Sequence, residues 1–235
     1  MRPDGLPTLR PRAVHQALRH AMRTSSAALA ALALVAGGAQ AGTVQVDVSD
    51  AAGKPVADAV VFLDSAEARK QVKPLTGVEM AQEKRQFVPG LLVVPVGTEV
   101  LFPNRDSVRH HVYSFSPAKK FELKLYSGTP SNPVLFDKAG VVALGCNIHD
   151  QMVGWVLVVD TPYYARTPAA TGKAQLDNVP PGTYTLRTWH TRLPVGAPAL
   201  EQALTVPATG SATASVRMTG CLLYTSPSPR DQRGS

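Results

Sequence analysis

Between residues 43 and 206 the apolar positions fall into short runs rich in Val, Leu, Thr and Tyr, separated by clusters of Gly, Pro, Asn and Asp. That punctuation belongs to all-β domains. The runs predict strands at 43–48, 59–63, 91–94, 99–104, 111–115, 141–145, 153–159, 173–176, 183–189 and 203–206. No long amphipathic helical pattern interrupts them, and β-branched aliphatics fill a sandwich core without many aromatic rings.

Two composition breaks divide this region: the charged stretch 67–85, and the step Asp160-Thr161-Pro162 after an apolar run. On either side lie two recognisable pieces. Gly53-Lys54-Pro55-Val56-Ala57-Asp58-Ala59 leads into the apolar run 60–63, and Asn178-Val179-Pro180-Pro181-Gly182 leads into the alternating Thr183-Tyr184-Thr185-Leu186. Gly53 with Pro55, and Pro181 with Gly182, set turns ahead of strands. Both pieces resemble the carboxypeptidase regulatory-like, or transthyretin-like, β-sandwich. The expected organisation is 42–66 and 161–220 as two parts of one small sandwich, with a domain at 67–160 inserted between them. The rival arrangement gives the first strands to the central domain.

The two ends of the chain have a different character. Residues 27–41 form an apolar stretch preceded by arginines and closed by Ala39-Gln40-Ala41. This is the pattern of a secretory signal peptide cleaved after Ala41, with Met22 an alternative start, and it is shorter than the roughly 20 residues of a membrane-spanning helix. The expected location is therefore the periplasm, with no membrane span after cleavage. At the other end, the run from Cys221 to Asp231 reads CLLYTSPSPRD, which resembles a translated sequencing adapter; 221–235 are expected to be an artefact.

Setting both ends aside changes the charge and the cysteine count. The whole chain carries a formal charge of +7, but between Gly42 and Gly220 the 17 basic residues face 15 acidic ones. Nothing in that balance supports a nucleic-acid partner, which needs a clustered basic face. Of the two cysteines, Cys146 is the one left. A lone cysteine in an oxidising compartment is protected by burial or by a metal bond.

The chemistry concentrates around that cysteine. Gly145-Cys146-Asn147-Ile148-His149-Asp150-Gln151-Met152 follows one Val/Leu run and precedes another, giving the spacing C-x2-H-x2-M. Such a loop lets three donors converge from one segment, and a fourth from a neighbouring strand ties it to a rigid sheet. One thiolate, one imidazole and one thioether at that spacing form a set of soft metal donors. Taken singly, each residue has a plainer explanation: a small buried cysteine, a hydrogen-bonded histidine, a packing methionine. Their joint order and strand context favour a site.

Upstream lies Gly97-Thr98-Glu99-Val100-Leu101-Phe102-Pro103-Asn104, then Arg105-Asp106-Ser107-Val108-Arg109-His110-His111-Val112. With the loop, this stretch resembles the plastocyanin/azurin family of cupredoxins over roughly 87–159, and the loop spacing is similar to amicyanin. The whole chain also resembles secreted plastocyanin-like proteins labelled methylamine utilization proteins. The resemblance implies a cupredoxin Greek-key β-sandwich beside the second, smaller one, and one type 1 copper ion held by His110, Cys146, His149 and Met152. It implies further that His149 is the electron exit.

The chain departs from the family pattern twice. His111 stands where the family has an Asn that fastens the ligand loop, and Ile148 replaces the Pro before the loop histidine. Adjacent strand residues face opposite sides, so only one of His110 and His111 can meet the ion; the family alignment selects His110. Asn104, Asp106 and Asn147 are candidates for stitching the ligand loops or for turn duty. His190 reads as structural or surface-exposed.

The function expected is single-electron transfer between redox proteins such as a periplasmic dehydrogenase and a cytochrome or oxidase. The alternative is a copper-handling or assembly module. An enzyme is disfavoured, because multicopper enzymes need further His clusters and 42–220 holds four His. A zinc hydrolase wants harder ligands than Met152.

Overall fold

The computed structural model describes residues 41–194 and 196–219; the expected signal peptide and the CLLYTSPSPRD segment lie outside them. The first third of this region contains β1 (Gly42–Asp50), β2 (Val60–Asp64), the one-turn helix α1 (Ala66–Arg69), β3 (Val78–Glu79), β4 (Ala81–Glu83) and β5 (Gln86–Val88). The middle contains β6 (Leu91–Pro95), β7 (Thr98–Leu101), β8 (His110–Ser116), β9 (Lys119–Tyr126), β10 (Val134–Phe136), β11 (Gly140–Cys146) and β12 (Val153–Val159). The last third contains β13 (Tyr164–Arg166), β14 (Lys173–Val179), β15 (Gly182–Trp189), β16 (Leu200–Val206) and β17 (Ser211–Met218). The described chain is all-β, as the punctuated apolar runs predict.

These strands surround two cores. The first lies between the sheets β14-β1-β17 and β13-β2-β15-β16. Alternating residues of β1 (Val44, Val46, Val48) meet the run Val60, Val61, Phe62, Leu63 and the inward side of β15. In this sheet pair β1 runs parallel to β17 over its length, from Thr43 opposite Ser211 to Asp50 opposite Met218. The second core lies inside the five-stranded sheet β6-β12-β11-β8-β9, covered by β10-β7-β3 and the hairpin β4-β5. Phe102, Phe121 and Phe136 form its aromatic centre, with ring centroids 5.6 to 6.5 Å apart.

The five-stranded sheet serves both cores, because β12 is buried on both faces. Val156 and Val158 point into the second core while Leu157 and Val159 enter the first. A strand covered on both sides reads as a continuous apolar run rather than an alternating one, as Val153–Val159 does.

Three features differ from the sequence expectations. The strand expected at 99–104 stops at Leu101, two residues before Pro103, which has no N–H for a ladder. The predicted runs omit β5, β9, β10, β13 and β17; β9, at an edge of the five-stranded sheet, exposes Lys120, Glu122 and Lys124, the charged pattern of a sheet edge. The charged stretch 67–85 is also not one loop: it carries most of α1, then β3 and β4. Ser65 caps that helix, its hydroxyl accepting from the Ala68 N–H at 3.1 Å.

Close packing along β11 and β12 demands glycine at two positions. A Cβ at Gly145 would lie 2.7 Å from the Tyr113 ring, and one at Gly154 would lie 2.8 Å from the buried Phe87 ring. No helix among the described residues is long and apolar enough to cross a membrane.

Candidate metal centre

Three segments build the site. β8 opens at His110, β11 ends at Cys146, and the loop 147–152 returns the chain into β12. Cys146 pairs with Val112 across β11 and β8, so the start of one strand meets the end of the other. The loop closes on itself through the Met152 N–H, which donates to the His149 carbonyl at 2.9 Å. Alternation along β8 turns His110, Val112 and Ser114 inward and leaves His111, Tyr113 and Phe115 on the outer side.

The structure brings His110, Cys146 and His149 together. Cys146 Sγ lies 3.7 Å from His110 Nδ1 and 3.8 Å from His149 Nδ1. The three donor atoms all lie within 4.8 Å of one another, and the imidazole rings are 5.0 Å apart between centroids. His110 is fully buried, Cys146 and Met152 nearly so, and His149 reaches the surface. Met152 belongs to the same apolar cluster as Cys146. The loop around His149 exposes Ile148 and Val153, each about half exposed, together with polar Asn147, Asp150 and Gln151.

The far nitrogen of His110 is occupied. Its Nε2 lies 2.8 Å from Asp106 Oδ2, so Nε2–H donates and the Nδ1 lone pair is left facing Cys146. Burial alone would push the Asp106 carboxyl up; the N–H groups of Arg85 and Lys84 and the His110 ring outweigh it and hold the carboxyl below its ordinary value. Tyr126 stands opposite His110 in the β8-β9 ladder, and burial pushes its hydroxyl up to about 12. It donates to the Phe102 carbonyl at 2.7 Å and touches Gln82 Nε2.

His111 does not enter the centre. Its ring accepts from Asn147 Nδ2 at 3.2 Å and its Nε2 lies 2.9 Å from Glu122. It thereby links β8 and β9 to the ligand loop. Asn147 is thus a loop-stitching residue. Asn104 braces its own loop and ties it to β9: its side-chain amide donates to the Val108 and Tyr126 carbonyls at 2.8 and 3.0 Å, and its Oδ1 accepts from the Asp106 N–H. His190 is buried directly after β15, its ring hydrogen-bonded to backbone on both nitrogens; the structural half of its expectation describes it and the exposed half does not. Glu122 was not singled out from sequence, because only strand pairing sets it beside His111.

The donor set itself selects among ions. One thiolate-forming sulfur and two imidazole nitrogens, with a thioether in the same apolar cluster, form a soft and enclosed set that fits copper better than ions preferring oxygen.

No family model matches the chain, and no curated protein matches it. Among solved structures, it is similar to a purple cupredoxin from Nitrosopumilus maritimus at 26% identity, over 35% of this chain and 99% of that one, with a TM-score of 0.31. It is similar to a reduced amicyanin variant at 24% identity, over 42% of this chain and 98% of that one, with a TM-score of 0.32. A copper-containing nitrite reductase from Thermus scotoductus matches at 21% identity, over 48% of this chain and 28% of its own, with a TM-score of 0.33. Each likeness covers less than half of this chain.

Proposed function

We propose that this chain is an exported type 1 copper protein of the cupredoxin kind that transfers single electrons in the periplasm. The observation that carries the reading is the cluster itself: Cys146 Sγ within 3.7 and 3.8 Å of one nitrogen of each of two imidazoles. His110, Cys146, His149 and Met152 would hold the ion, and what copper supplies when bound is a one-electron couple.

The residues divide the remaining work. Cys146, buried at the end of β11, excludes water from the sulfur and protects it from oxidation. His110 anchors the centre to the sheet. His149 reaches the surface on a segment that also exposes Ile148 and Val153, which makes it the electron exit toward a redox partner that docks in part through apolar contact. Met152, buried behind the loop, offers a weak donor that tunes the couple.

The domain organisation that accompanies this reading is a ligand-bearing sandwich at 67–160, inserted between 42–66 and 161–220 of the other. It is supported by the pairing of β1 with β14 and β17, and of β2 with β13 and β15, rather than with the ligand-bearing sheet.

The test is spectroscopic. Purified chain loaded with Cu(II) is expected to show an intense visible thiolate-to-copper absorption band and a type 1 EPR signal, and Cys146→Ser is expected to lose both. A loaded wild-type protein without the band overturns the reading. Reversible voltammetry supports the carrier role, whereas slow transfer with freely exchanging copper would favour copper handling.

A further inference from the structure

A buried histidine needs a partner for each ring nitrogen, because no water replaces one that is missing. His110 has no exposed surface, and its Nε2 finds Asp106 at 2.8 Å. That carboxylate is itself held firmly. Oδ1 accepts from the Lys84 N–H at 2.7 Å and Oδ2 from the Arg85 N–H at 2.9 Å. Lys84 and Arg85 form the β4-β5 turn with φ of 54° and 58°, and this left-handed pair aims two successive N–H groups at one carboxylate. From the other side the Asp106 N–H donates to Asn104 Oδ1 at 2.9 Å. The second histidine is different: among the described residues, none is hydrogen-bonded to the other nitrogen of His149.

We propose that Asp106 is the positioning and tuning residue of the metal centre: pinned by the 84–85 turn, it fixes His110 with Nε2 protonated, presents bare Nδ1 to the ion, and favours the oxidised state. The inference rests on the copper reading above. A carboxylate that accepts the far N–H of a ligand imidazole fixes its tautomer and raises its donor strength. A stronger donor beside an added negative charge stabilises a dication more than a monocation. Asp106 therefore lowers the reduction potential, and it does so through the buried histidine alone.

Two measurements test this. In the metal-free full chain, ring-nitrogen NMR is expected to show His110 as the Nε2–H tautomer, and Asp106→Ala is expected to mix the tautomers. In copper-loaded protein, Asp106→Asn is expected to weaken Cu(II) binding by about 10- to 100-fold with Cu(I) binding nearly kept. Each tenfold selective loss reads as a rise in potential of about 59 mV. If Asp106→Ala does not fold, the wild-type tautomer and Asp106→Asn still decide the matter. An Nδ1-protonated His110, or an Asp106→Asn protein that weakens both oxidation states equally with no change of potential, overturns the proposal. A wild-type chain lacking the thiolate band overturns the copper reading instead, and the tautomer of the metal-free ring reports on Asp106 separately.

Discussion

The two cores of this chain each bury a histidine, and the surroundings of the two rings explain why only one of them is proposed as a metal ligand. In the first core His190 Nε2–H donates to the Ala57 carbonyl at 3.0 Å while Nδ1 accepts from the Arg192 N–H at 3.0 Å. Both nitrogens are satisfied by backbone, and the ring has nothing left to offer. In the second core His110 satisfies Nε2 with Asp106 and turns Nδ1 toward a sulfur at 3.7 Å. A buried histidine with one nitrogen committed and the other bare beside a thiol is built as a ligand; one with both committed is built as a strut. The same contrast extends to the acids: Asp64 sits buried between Arg69 at 2.7 Å and Arg187 at 3.4 Å, whereas Asp106 spends one oxygen on a ring that faces the site.

The sharpest way to break that comparison is to remove each ring in turn. His110→Ala is expected to abolish the visible band and copper binding at stoichiometric metal. His190→Ala is expected to leave the spectrum unchanged while costing about 1 to 3 kcal/mol for an orphaned buried carbonyl, read by denaturant unfolding. Equal loss of copper binding in both variants would erase the distinction.

Met152 separates ligation from packing within the second core. Met152→Ala is expected to cost about 2 to 5 kcal/mol of stability through the cavity it leaves. Met152→Leu keeps the volume and is expected to cost less than about 1.5 kcal/mol, yet to change the spectrum and raise the potential. An unaltered spectrum in the leucine variant would reduce Met152 to a packing residue.

The smallest expected effect is a pH dependence confined to the first core. Burial, with Arg192 nearby, holds the His190 ring below its ordinary 6.5 despite the Ala57 hydrogen bond. The unfolded chain therefore takes up the proton first, and stability carried by the neutral ring is complete above about pH 6.5 and declines as the pH falls through that value toward the folded one. Comparing the melting temperature of wild type and His190→Gln between pH 7.5 and 5 checks it; parallel curves would place the acid sensitivity elsewhere.

Much of this was legible from residue order because local rules sufficed. Alternation in Val44, Val46 and Val48 marks a half-buried strand, and the unbroken Val153–Val159 run marks one covered on both faces. The intervals from Cys146 to His149 to Met152 set three side chains on one short loop, whatever surrounds it. Strand β9 carried a readable signal too, its charged and apolar residues alternating, but β17 opens on Ser, Ala and Thr and carries large apolar side chains only at Val216 and Met218. Its place beside β1 arises from pairing across the whole length of the domain, which no local window contains.

By itself, then, residue order determined the all-β class, the ligand loop, and the pairing of His110 with it by resemblance, because strand period and loop spacing are properties of contiguous segments. Only the tertiary structure decided which nitrogen of His110 is bare, that Asp106 rather than a backbone carbonyl holds the other, and that His111 reaches Asn147 and Glu122. The physical reason is that a hydrogen bond depends on where atoms lie within about 3 Å of each other. The Lys84-Arg85 turn that grips Asp106 comes from 21 and 22 residues earlier in the chain, at a distance that folding alone removes.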